Sequence, residues 1–124
     1  MMEPSQVRDH RKLEVFQLAD DLVIMTYLAT RRFPQTERYG LSSQLRRSAV
    51  SVAANIVEGC GRRTGKDYLR FLYHSFGSLR EVGYYIDLAR RLAYLEKSTA
   101  DQLHTAYRRT SAALAALIHA RQRE

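Results

Sequence analysis

Four stretches of this chain repeat apolar residues at three- and four-residue steps, and no other feature constrains its fold as tightly. The first runs through Val15, Leu18, Leu22, Met25 and Ala29, flanked by Phe16, Ala19 and Val23, and Pro34 ends it. The second spans about residues 42–58 and aligns Leu41, Leu45, Ala49, Val52 and Ile56, with Val50, Ala53 and Val57 widening the face. The third aligns Leu69, Leu72, Phe76, Leu79, Gly83 and Ile86; the fourth aligns Leu103, Ala106, Thr110, Leu114 and Leu117. No alternation of apolar and polar residues is long enough for a strand. Short connections at about 33–41, 59–64 and 93–98 then predict an all-α, antiparallel up-down-up-down four-helix bundle. Its expected extent is residues 13–121, after a flexible N-terminal segment at 1–12 and before a short tail at 122–124.

Between the second and third helices lies GCGRRTGKDYLRFL, residues 59–72, which has the look of a phosphate-binding loop. A P-loop requires G-x-x-x-x-G-K-[ST], whose amides wrap the phosphates and whose hydroxyl ligates magnesium. Counting back from Gly65 and Lys66, Cys60 occupies the first glycine position, and Asp67 replaces the hydroxyl residue. The loop is therefore a helix corner: Gly59 or Gly61 supplies a left-handed residue to end the second helix, and Thr64 with Asp67 caps the third. Ser98 with Asp101 repeats that capping signature before the fourth helix.

The charge balance is +7, and its distribution is uneven. From Arg31 to Arg70 there are nine basic residues against three acidic ones, a net of +6, while the rest of the chain is close to neutral. Such a block points to an acidic partner, nucleic acid first, with a solvated basic face as the alternative. On the second helix Arg47 lies within about 60° of Arg62 at 100° per residue, so Arg47 is expected to join Arg62, Arg63, Lys66 and Arg70 in one phosphate-binding surface. Eight tyrosines, among them Tyr68, Tyr73, Tyr84 and Tyr85, are candidates for stacking on bases or for packing at bundle edges. No unbroken apolar run approaches the length of a membrane span, and the first residues contain no apolar signal core. The single cysteine, Cys60, excludes an internal disulfide, and the chain reads as cytoplasmic. Its neighbours Arg62 and Arg63 would lower a thiol pKa, although an inert cysteine at a helix end is the simpler reading.

The second helix has one further peculiarity. Gln44, Ser48, Ser51, Asn55, Glu58 and Arg62 form a polar stripe along about 25 Å of helix, while most other positions are apolar or small. The stripe either faces solvent or lies in a contact, and the short side chains of Ser48, Ala49, Ser51, Ala53 and Ala54 favour a contact. Ser51, Asn55 and Glu58 are therefore the expected helix–helix or subunit interface residues.

The run SAVSVAANIVEGCGRRTGKDYLRFLYHSFGSLREV, residues 48–82, carries S-x-x-A-N-I-x-E-G, then G-R, D-Y-x-R-F-L and G-S-L-x-E. In this combination it resembles the four-helix-bundle proteins encoded by intervening sequences in bacterial 23S ribosomal RNA genes, also called S23-like, and is similar to the Avd accessory proteins of diversity-generating retroelements. Weaker likeness covers most of the chain. The resemblance implies an intracellular homopentamer without enzymatic activity and, in the retroelement branch, binding to nucleic acid and to a reverse transcriptase through basic surface. It implies no cofactor.

Residues for catalysis are scattered. His10, His74, His104 and His119 show no metal-binding spacing, and no arrangement supplies a nucleophile, base and oxyanion donors together. Two functional classes follow: a nucleic-acid-binding accessory protein, and a structural homo-oligomer that organises a protein partner.

Overall fold

A computed structural model describes residues 8–124, and among these all regular structure is helical. The helices are α1 (Glu14–Thr30), α2 (Leu41–Cys60), α3 (Gly65–Arg91) and α4 (Lys97–Gln122). Each packs on its sequence neighbours and α1 closes against α4, which is the up-down-up-down bundle the periodicity predicts. The core follows the apolar stripes: Leu22, Leu45, Ile56, Leu72, Leu79, Leu103 and Leu114 are buried. Each such side chain contributes about 1.5–3 kcal/mol by leaving water. No helix among the described residues is long and apolar enough to cross a membrane.

The N-terminal segment falls partly outside the description, which begins at residue 8. From there Asp9 caps a short 3-10 turn, His10–Lys12, its carboxylate accepting from the Arg11 amide at 3.1 Å. Arg8 Nη1 donates to the Arg62 carbonyl at 3.0 Å, tying this segment to the far end of α2.

Two helix boundaries correct the sequence reading. Neither Gly59 nor Gly61 is left-handed: Gly59 is buried within α2, and Gly61 has φ −82°. The Gly61 amide donates to the Val57 and Glu58 carbonyls, so a right-handed turn ends the helix. Thr64 does cap α3, its Oγ1 accepting from the Asp67 amide at 3.0 Å. Ser98, however, caps nothing, because α4 already begins at Lys97 and Asp101 pairs with Lys97 at 3.6 Å. The preceding link sets that start. The Ala93 amide donates to the Arg90 carbonyl and the Tyr94 amide to that of Ala89, which is a Schellman closure of α3, and Leu95 is buried directly behind it. Ala93 takes the left-handed position at φ 60°, the place where glycine is usual.

The end of the bundle holding this link is fastened by Glu37. Its Oε1 accepts from the Leu41 amide at 3.0 Å, capping α2, and its Oε2 accepts from the Tyr94 hydroxyl at 2.8 Å. The Leu41 amide first, then the Tyr94 hydroxyl, hold the Glu37 carboxyl below its usual value of 4.5. The ionised form is thus favoured in the folded chain. Stability from this group is complete above about pH 4.5 and is lost as pH falls through the lower folded value. We expect Glu37→Gln to melt below the wild type at pH 7. The gap should close as pH is lowered through this window, as followed by circular dichroism melts from pH 7 to pH 3. A gap independent of pH would show that the carboxylate charge contributes nothing.

Candidate nucleic-acid interface

The basic corner is built on the close approach of α2 and α3. Small residues on α2 allow it: Gly59 faces α3, and Ser51 reaches it through a short side chain. A methyl group added at Gly59 would stand 3.0 Å from Phe71 Cβ and 3.2 Å from Tyr68 Cδ1, closer than side chains normally pack. A side chain here would have to push the neighbouring helix's residues back by a few tenths of an ångström. Farther along the seam, the Ser51 and Ser78 hydroxyls share a hydrogen bond at 2.8 Å, and the buried Ser75 hydroxyl donates to the Val52 carbonyl at 2.7 Å. A buried hydroxyl left unpaired would cost about 1–3 kcal/mol, so these bonds fix how the helices face one another.

The polar stripe of α2 runs along this seam. Ser51 bonds across it, and Asn55 donates to the Ser51 carbonyl at 2.8 Å and to its hydroxyl at 3.0 Å, orienting that hydroxyl from the same helix. Glu58 is exposed and pairs with Arg62 at 2.7 Å. Of the three residues expected at a contact, Ser51 bridges the helices, Asn55 supports it, and Glu58 anchors the corner arginine.

With the helices this close, Phe71 sits at the corner beneath two guanidinium groups. Arg62 lies 4.5 Å from its ring centre and Arg70 lies 4.7 Å away. Each contact is worth about 0.5–1 kcal/mol at an exposed site, and together they orient the cations that the α2–α3 turn and α3 contribute. Arg70 also reaches Asp67 at 3.6 Å, one turn earlier. Arg63 and Lys66 are exposed and have no ion-pair partner among the described residues.

Arg62, Arg63, Lys66 and Arg70 are therefore gathered at one corner, but Arg47 does not join them. It is exposed on the outer face of α2, and fifteen residues at 1.5 Å each place it about 22 Å along the axis from Arg62. Arg46 is occupied elsewhere: its Nε donates to the Thr30 hydroxyl at 2.7 Å and its guanidinium covers Tyr27 at 4.8 Å, joining α2 to α1.

Behind the corner, Tyr68 is 1% exposed, so it offers no face for stacking. Burial, then the neighbouring Cys60, push its pKa up to about 12. Cys60 is itself buried, and burial raises its pKa, which favours the inert cysteine of the simpler reading over activation by Arg62 and Arg63. Those guanidiniums point to Phe71 and to solvent instead. Arg8 covers Tyr68 at 4.2 Å, a contact with no local signal in the sequence because it joins residues sixty positions apart.

The opposite end holds a cleft of about 580 Å³ between α1 and α4, lined by Met25, Leu28, Arg32, Tyr94, Glu96 and Gln102 among others. It contains no nucleophile with an adjacent base. Among the described residues no three His, Cys, Asp or Glu side chains gather as a metal site requires.

Comparison with known proteins agrees with this architecture. Residues 11–116 match the sequence profile described as 23S rRNA-intervening sequence protein. A crystal structure of a protein of unknown function from the S23 ribosomal protein family of Bacteroides thetaiotaomicron superposes with a TM-score of 0.76 at 19% identity. The match covers 84% of this chain and 97% of that one. No curated protein sequence matches this chain.

The tight seam yields a stability test of the corner. Gly59→Val forces Phe71 and Tyr68 away from α2 and should destabilise the bundle by about 2 kcal/mol, as overpacking of a filled contact does. Urea unfolding measures it, and a midpoint equal to that of the wild type would refute the close packing assigned to Gly59.

Proposed function

Because this chain belongs to the 23S rRNA-intervening sequence protein family, we propose that it is a non-enzymatic, oligomeric accessory protein that binds RNA or DNA through its basic corner. The observation that carries this reading is the state of the corner's cations. Arg62 and Arg70 are oriented over Phe71, while Arg63 and Lys66 remain exposed without a carboxylate among the described residues. Cations so placed gain by displacing counterions from a phosphate backbone. Repeated around a ring of copies, the corner becomes a basic band.

A strand engaging about six phosphates gives a slope of log affinity against log salt near −4, so raising salt from roughly 50 to 200 mM should weaken binding a few hundredfold. Replacing Arg62, Arg63 and Lys66 together by glutamate should abolish most binding and leave the oligomer intact. Electrophoretic shift or anisotropy titrations with RNA and DNA measure both. If the wild-type protein binds neither at low salt, the reading fails and the basic block is a solvated face.

A second reading has its own observation. The outer faces of α1 and α2 expose Ile24, Tyr27 and Leu28, and Val50 and Val57, with Ile24 56% accessible. Such apolar surface favours association between copies. A homopentameric scaffold for a protein partner, a reverse transcriptase being the one the resemblance offers, needs no nucleic acid. Light scattering should return about five times the chain mass of 14.3 kDa; a monomer across micromolar concentrations would remove the oligomer from both readings.

A further inference from the structure

The corner presents aromatic and planar cationic groups beside its point charges, and this distinguishes among nucleic acids. Phe71 is half-buried with the Arg62 and Arg70 guanidiniums over its ring. His74, exposed one turn along α3, meets the Phe71 ring edge-on at 5.6 Å and 64°. Arg62 Nε is shielded from solvent without a hydrogen-bond partner among the described residues, so this guanidinium is held by its ring contact and by Glu58. Of the neighbouring aromatic groups, Tyr68 is buried, and Tyr73 is exposed with its hydroxyl accepting from Gln122.

Arginine planes and aromatic rings beside a cationic track are what single strands use, because every unpaired base has a free face that stacks on such groups. A duplex hides those faces within its own stack and offers the corner phosphates alone. We infer that the corner takes single-stranded nucleic acid, with an unpaired base stacked on the exposed Arg70 guanidinium and His74 ring, which Phe71 backs, and the adjoining phosphates on Arg63 and Lys66. This rests on the nucleic-acid reading above and adds to it the strandedness of the ligand. Stacking is tolerant of sequence, so the expected preference is for unpaired strands in general, RNA or DNA. It also separates the two energetic contributions: the cations set the salt dependence, whereas the stacked cluster contributes an affinity that salt leaves nearly unchanged.

Fluorescence anisotropy on the full chain tests it, with a labelled single strand of about 20 nucleotides and a hairpin duplex carrying the same sequence, at roughly 50 mM salt. The single strand should bind about tenfold more tightly or better. His74→Ala should weaken single-strand binding about five- to tenfold or more with the salt slope and duplex affinity unchanged, whereas Phe71→Leu, which also releases Arg62 and Arg70, should weaken both probes and the single strand more. Lys66→Gln should instead lower the slope for both probes. His74 is exposed, so its replacement leaves the core intact, and a melt of Phe71→Leu separates loss of stacking from loss of fold. Equal or tighter binding of the duplex, or full single-strand affinity in both variants, overturns the inference while leaving the phosphate-binding reading in place. Failure of the wild type to bind either probe overturns both.

Discussion

The contact between α2 and α3 is the interaction on which the rest of this molecule depends. Gly59 leaves room for a second helix, and the hydroxyls of Ser51, Ser75 and Ser78 fix how that helix faces the first. With this spacing Phe71 comes within reach of Arg70 on its own helix and of Arg62 in the turn that leaves α2. A larger side chain at Gly59 would therefore act twice, through packing energy and through the geometry of the cations. Stability and the candidate site share one set of contacts, and substitutions in the seam are expected to affect both.

The two ends of the bundle solve different problems. At one end, Glu37 satisfies an open amide of α2 and holds the α3–α4 link through Tyr94, with the Phe33 and Tyr94 rings 5.5 Å apart behind it. That carboxylate is half-buried, bonded within the fold, and serves stability. At the other end, carboxylates are few beside the arginines, and Glu58 and Asp67 position their cations without neutralising the whole corner. Net positive charge is concentrated where α2 hands over to α3, and the fold tolerates this because its repulsion is exposed to solvent, where water screens it.

Much of this was legible in the sequence because it is local. Leu41, Leu45, Ala49, Val52 and Ile56 form the predicted buried face of α2, and Thr64 caps α3 as its spacing to Asp67 indicates. Arg62, Arg63, Lys66 and Arg70 meet because they flank one turn. Arg47 does not meet them: angular agreement on a helical wheel carries no information about rise, and 22 Å of axis intervenes. The glycine signal at 59–61 was open to two causes, backbone conformation and close packing, and only the neighbouring helix decides between them. Ser98 has the form of a cap, yet the Schellman closure at Tyr94 and the burial of Leu95 start α4 earlier. Glu37 bonds Tyr94 across fifty-seven positions, and Phe71 gains its second arginine from the turn before α3; neither has a periodic signature.

The left-handed Ala93 has a consequence for how this sequence can change. A residue with a Cβ held in that conformation carries about 1–2 kcal/mol of strain, which glycine would largely relieve, less the greater freedom glycine adds to the unfolded chain. The position lies at the end of the bundle away from the basic corner. The chain therefore holds an unspent reserve of mutational tolerance, one replacement distant, that can absorb a destabilising change at the corner while new binding properties are acquired there.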